Sequence, residues 1–123
     1  MEKIILTLFF LISQTISAES IEFSKESFAK AKSEGKTIVL DVYAWWCPVC
    51  NIQKSRLDSI LNEEKMFKDF VYYKINNSDS LSKQELDVTS RGTLIIYKGQ
   101  TEVNRLVLEA DKEKILQFLK KGL

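Results

Sequence analysis

The spacing of apolar and polar positions changes several times along the chain, and each change marks an element. Ser24 to Glu34 sets Phe28, Ala29 and Ala31 among charged residues, with Ser24 placed to cap and Gly35 to stop, which predicts a helix. Thr37 to Tyr43 (TIVLDVY) is nearly continuously apolar and rich in β-branched and aromatic residues, the signature of a central strand buried on both faces. From Pro48 the pattern becomes helical, with Val49, Ile52, Leu57, Ile60 and Leu61 expected on one side. Pro48 suits a first helical turn, where a missing N–H costs nothing. Phe70 to Ile75 reads as a second strand and Ser80 to Leu86 as a short helix. Thr93 to Tyr97, a Lys98-Gly99-Gln100 turn and Glu102 to Leu108 read as a β-hairpin. Asp111 to Lys121 closes the chain as an amphipathic helix, capped by Asp111 and striped by Ile115, Leu116 and Leu119. Parallel βαβ units followed by an antiparallel hairpin imply an α/β fold, a central mixed sheet with helices on both faces.

Composition bounds the function. The chain has 123 residues, 18 basic and 17 acidic, for a net charge of +1. Such a balance gives no field to attract nucleic acid or anionic lipid. There is no Gly-rich phosphate loop and no flavin or nicotinamide motif, so no cofactor is expected. Residues 1–18 read as a signal peptide: Lys3 precedes an apolar run, Ile4 to Ile12, and Ser13 to Ala18 is small and polar. The run is too short to span a bilayer, which takes about 20 apolar residues as helix. The reading is export, with bacterial origin assumed and the periplasm as destination, leaving 19–123 as one domain; the alternative is a buried N-terminal strand.

An oxidising compartment gives meaning to the two cysteines, Cys47 and Cys50. A bridge across so short a loop removes little chain entropy and staples no distant elements, which favours catalysis or metal binding over a structural role. Cys47 follows a buried strand and opens a helix, where unpaired N–H groups favour the thiolate. Cys50 lies one turn on, placed to attack a mixed disulfide made by Cys47. Asp41 is a carboxylate inside an apolar strand, so burial should raise its pKa; the plainer alternative is an edge residue facing water or a lysine.

The segment Asp41-Val42-Tyr43-Ala44-Trp45-Trp46-Cys47-Pro48-Val49-Cys50 resembles the active-site segment of the thioredoxin superfamily. With the long helix after it, Met66-Phe67 and Phe70-Val71, it looks closest to the C-terminal domain of the bacterial thiol:disulfide interchange protein family. The resemblance covers about residues 35 to 121. It implies a thioredoxin fold, an exposed Cys47 and a buried Cys50 forming the redox-active disulfide, and protein disulfides as substrates. It also implies that Asp41 moves protons to and from the buried cysteine. Trp45, Trp46, Pro48 and Val49 would border the substrate, with Trp45 enlarging an apolar docking surface and Tyr43 and Trp46 packing at the core or rim.

The sequence departs from the family at Val88-Thr89-Ser90-Arg91-Gly92-Thr93. Gly92 stands where the family has a cis-proline before the threonine, and Pro48 is the only proline in the chain. Gly92 is expected in a trans turn that uses its freedom in φ, in a looser loop that alters substrate holding through Arg91, Gly92 and Thr93. Arg91, pointed at the sulfur, would stabilise the thiolate; its alternative is an exposed loop charge. The favoured function is a monomeric periplasmic thiol–disulfide oxidoreductase, acting as a reductase and supplied with electrons by a membrane-embedded partner. The competing reading is a soft-metal carrier using the same two thiolates, although the chain has no histidine.

Overall fold

The computed structural model describes residues 19–123; the expected signal peptide, 1–18, lies outside the described residues. Ten short elements follow in chain order: β1 (Ile21–Glu22), α1 (Lys25–Ser33), β2 (Thr37–Tyr43), α2 (Pro48–Glu63), a 3-10 turn (Lys65–Phe67), β3 (Val71–Asn76), α3 (Ser80–Glu85), β4 (Thr93–Lys98), β5 (Thr101–Val107) and α4 (Lys112–Lys120). The strands form one mixed sheet in the order β1-β3-β2-β4-β5. β2 is its centre, parallel to β3 with Asp41 opposite Lys74, and antiparallel to β4 with Asp41 opposite Leu94. The expected mixed sheet with helices on both faces is what the chain forms.

Local chemistry explains the boundaries. The Ser24, Asp79 and Asp111 side chains each accept a backbone N–H from the first turn of α1, α3 and α4, satisfying donors that a helix start leaves unpaired. The hairpin turns at Gly99-Gln100, where Gly99 has φ +60°, a conformation that costs other residues a Cβ clash. Ile38, Val39, Leu40 and Val42 are fully buried, as a strand covered on both faces requires. Each contributes about 1.5–3 kcal/mol by leaving water.

Two cores result. α2 and α4 cover one face through Leu57, Ile60, Leu61, Ile115, Phe118 and Leu119, which pack on Val39, Tyr72, Leu94 and Ile96. α1 covers the other through Phe28 and Ala31, over Ile38, Leu40, Val42, Tyr73, Ile75 and Ile95. The α2 face differs from its expected stripe. Ile52 is exposed and Val49 half-buried, whereas Cys50, Gln53, Leu57, Ile60 and Leu61 are buried. The buried set steps by three, four, three and one residues, a truer helical face than one counted from Val49. In α4, Phe118 is buried where Leu116 is only partly so. β3 begins one residue late because the Phe70 N–H donates back to Phe67 O of the 3-10 turn at 3.0 Å and its ring packs at a tilt against Phe67, centroids 5.1 Å apart. β1 is a two-residue pairing of exposed side chains on β3, so no apolar period announces it.

Candidate active site

β2 carries the chain to one end of the sheet, and Ala44-Trp45-Trp46 turns it into α2. Cys47 caps that helix: its Sγ accepts the Cys50 N–H at 3.3 Å, a place usually filled by Ser or Asp oxygen. Sulfur in that position is held where partial positive charge favours an anion. Burial by itself would push the Cys47 thiol up. The Cys50 thiol, the Cys50 N–H and the Arg91 guanidinium outweigh it, and the net direction is down. The Cys50 thiol is pushed up to about 11 by burial, by the neighbouring Cys47 and by the Asp41 charge. One thiol is therefore poised to attack and the other to remain protonated.

Both cysteines are free thiols, and both are only 1% exposed. The expected exposure of Cys47 is thus corrected: its sulfur lies just beneath the surface under a thin cover. Arg91 supplies part of that cover. Its guanidinium lies over the Trp46 ring, 4.8 Å from the centroid, and beside the Cys47 thiol. Arg91 is half-buried, not a free loop charge. Trp46 is half-exposed at the rim, and Trp45, 79% exposed, points away from the fold. Pro48 is exposed and Val49 half-buried beside them.

Gly92, next to Arg91, has φ +74°, and there is no cis peptide among the described residues. Its N–H donates to Val42 O at 2.7 Å, while its carbonyl accepts the Leu108 N–H at 2.9 Å and the Gln53 amide at 2.9 Å. A Cβ at Gly92 would meet Leu108 Cδ2 at 2.7 Å. The loop is held from three directions, which corrects the expectation of a looser loop. Thr93 is buried and its hydroxyl donates to Ser90 O at 2.6 Å, inside the same turn.

Asp41 is 1% exposed and near enough to Cys50 for its charge to act on that thiol. The edge alternative fails because β2 has a neighbour on each side. Burial pushes its carboxyl up to about 7, against the lowering by the Tyr72 hydroxyl and by Lys54. The Tyr72 hydroxyl donates to Asp41 Oδ2 at 3.2 Å, and Oδ1 has no hydrogen-bond partner among the described residues. A carboxyl that titrates near neutrality beside a high-pKa thiol can take that thiol's proton. Sequence reasoning missed Tyr72 and Gln53. Gln53 was signalled by its place three residues after Cys50 and four before Leu57, on the buried face. No group of three or more His, Cys, Asp or Glu side chains comes together to hold a metal among the described residues.

This geometry has close counterparts. The family model described as Thioredoxin matches residues 19–121. The chain belongs to the thioredoxin family. It is 30% identical over 105 residues to a thioredoxin H-type of Fagopyrum esculentum, covering 85% of this chain and 87% of that one. It is 31% identical over 86 residues to thioredoxin-2 of Saccharomyces cerevisiae, covering 68% and 80%. The crystal structure of Trxlp from Edwardsiella tarda superposes with TM-score 0.76 at 30% identity, covering 80% of this chain and 95% of that one. With both cysteines of the pair in place, this thioredoxin-family chain is a thiol–disulfide oxidoreductase. Against the thioredoxin pattern, Gly92 at the usual cis-proline position keeps the strand entry in place by hydrogen bonds and close packing in the absence of a ring.

Proposed function

We propose that the protein reduces protein disulfides in the periplasm, with Cys47 as nucleophile, Cys50 as resolving thiol and Asp41 as its base. The observation that carries the mechanism is the opposed shift of the two thiols, Cys47 down and Cys50 up. The Cys47 thiolate attacks one sulfur of a substrate disulfide, forming a mixed disulfide and releasing the other substrate sulfur as thiolate. Cys50 gives its proton to Asp41 and attacks Cys47 Sγ. The mixed disulfide breaks, the second substrate thiolate leaves, and a Cys47–Cys50 disulfide forms. The substrate gains two electrons and the protein loses two.

A high-pKa thiolate is the stronger nucleophile once deprotonated, so Cys50 favours fast release of reduced substrate. The likeness of the active-site segment to an electron-donating branch supports the reductive direction, and electrons would return from a membrane-embedded partner. Lys3 and the apolar Ile4 to Ile12 run support export. Trp45 and Trp46, with Ile52 45% exposed on the next turn, offer an apolar rim for a protein substrate.

Cys50→Ser is expected to accumulate mixed disulfides through Cys47 and to lose insulin reduction. A wild-type potential of about −270 mV supports the reductase, and one of about −120 mV overturns the direction. Stoichiometric metal on the reduced protein without exchange would overturn the enzyme reading. Export predicts that the periplasmic form begins at Glu19.

A further inference from the structure

Two carbonyl oxygens far apart in the chain meet at one side chain. The Gln53 amide nitrogen donates to Gly92 O at 2.9 Å and to Glu109 O at 3.0 Å. Both partners are pure acceptors, so chemistry decides which end of the amide is nitrogen. Gln53 is fully buried on α2, on the face formed with Cys50, Leu57, Ile60 and Leu61. Placing an amide there is costly, the more so because Oε1 finds no partner among the described residues. Leucine would fill the space more cheaply. What glutamine adds is the pair of hydrogen bonds that ties the active-site helix to the loop before β4 and to the chain after β5.

We infer that Gln53 is a positioning residue for thiol activation: by clasping Gly92 it holds the neighbouring Arg91 against Cys47. This rests on the reading that Arg91 stabilises the thiolate. The Arg91 side chain is long, and its stacking partner Trp46 is itself half-exposed, so the ring alone does not fix the guanidinium. The backbone beneath it is fixed instead. Gly92 is bonded to β2 at Val42, to α2 at Gln53 and to Leu108, and Leu108 leaves no room for a Cβ there. Of the three anchors only Gln53 belongs to α2, the helix that Cys47 caps and that carries Cys50, so it ties the backbone beside Arg91 to the start of the active-site helix.

The test is a double-mutant cycle on full-length protein, reading the Cys47 thiolate by its ultraviolet absorbance as pH is varied. Arg91→Ala is expected to raise the Cys47 pKa by about one unit and to slow disulfide exchange at pH 7 about threefold, because the loss of thiolate is partly offset by greater nucleophilicity. Gln53→Met should reproduce most of that shift in the wild-type background and add nothing to Arg91→Ala. If the methionine variant does not fold, Gln53→Asn, which keeps the amide but shortens its reach, completes the same cycle. A Gln53 variant that lowers the unfolding temperature while leaving the Cys47 pKa in place makes Gln53 a structural bolt and overturns the inference. Equal, additive shifts in both backgrounds overturn it too. An unchanged pKa in Arg91→Ala removes the Arg91 reading, a failure the single variant shows by itself.

Discussion

The two faces of the sheet are packed to different rules. Under α1 the interior is apolar, with Phe28, Ile38, Leu40, Val42, Ile75 and Ile95 buried. Its rings meet edge-on, Phe23 with Tyr73 at 6.0 Å and Phe28 with Tyr97 at 5.2 Å. Under α2 the interior also holds Asp41 and the Tyr72 hydroxyl from the strands and Gln53 from the helix itself. The buried side-chain atoms without a hydrogen-bond partner among the described residues are Asp41 Oδ1, Gln53 Oε1 and Arg91 Nε, all around the dithiol. A polar group left unpaired in an interior costs stability, and their gathering at one place marks where the fold gives up stability for chemistry. The α1 face supplies rigidity to the strand that carries Asp41; the α2 face uses it.

The difference can be broken most forcefully on the dry side. Phe28→Ala removes a 5%-exposed ring from the α1 core and should cost about 3–5 kcal/mol in urea unfolding. Insulin reduction per folded molecule and the Cys47 pKa should stay as in the wild type, since no atom of the dithiol region is touched. A shifted thiol pKa in the folded variant would show that the faces are coupled and that the division is wrong.

On the wet side Asp41→Asn should act the other way. The folded carboxyl, pushed up to about 7 from 3.8, binds its proton more tightly than the unfolded chain does. The wild-type stability it confers is therefore complete below about pH 4, is lost as pH rises through 7, and levels off above; the full span is on the order of 4 kcal/mol. An amide in its place has no such slope, so the variant should overtake the wild type in stability at pH 8. It should also resolve mixed disulfides about 100-fold more slowly, as loss of a proton acceptor requires. Matching slopes in urea titrations at pH 5 and pH 8 would sink the buried-base assignment.

The dry face and the thiol pair were legible from the sequence because each follows a single strong rule. The run Thr37 to Tyr43 is β2 to the residue, and Pro48 after Cys47 opens α2 as its fixed φ favours. Asp41 stood out because a carboxylate interrupts an apolar strand. Tyr72 did not stand out, and Gln53 was marked only by its spacing from Cys50 and Leu57. A tyrosine in a strand satisfies the apolar pattern whatever its hydroxyl meets, and a glutamine in a helix satisfies the polar one. Their roles come from tertiary partners 31 residues away, in the case of Tyr72 and Asp41, and 39 and 56 residues away for Gln53. The cover over Cys47 escaped for a like reason: it depends on where the loop before β4 places Arg91, and that is decided by three hydrogen bonds to Gly92 from distant segments.

The smallest expected effect is the sharpest test of whether the polar groups of the α2 face act as one unit. The Tyr72 hydroxyl is fully buried and donates to Asp41 Oδ2, holding the carboxyl lower than burial alone would leave it. Burial, and after it the charge of the neighbouring carboxylate, drives the phenol up, so Tyr72 stays a donor throughout the working range. Tyr72→Phe keeps the ring in the core and deletes only the donor. A hydrogen bond to a charged group contributes about 1.5–3 kcal/mol, so the Asp41 pKa should climb by about one unit. Resolution of mixed disulfides should then slow several-fold at pH 7 and recover by about pH 9, as the base regains its unprotonated form. The variant would have the same maximal rate and a shifted pH profile, whereas Asp41→Asn lowers the maximum itself. A Tyr72→Phe profile superimposable on the wild type would mean that Asp41 titrates without its neighbour and that the α2 face holds separate polar residues with no shared proton chemistry.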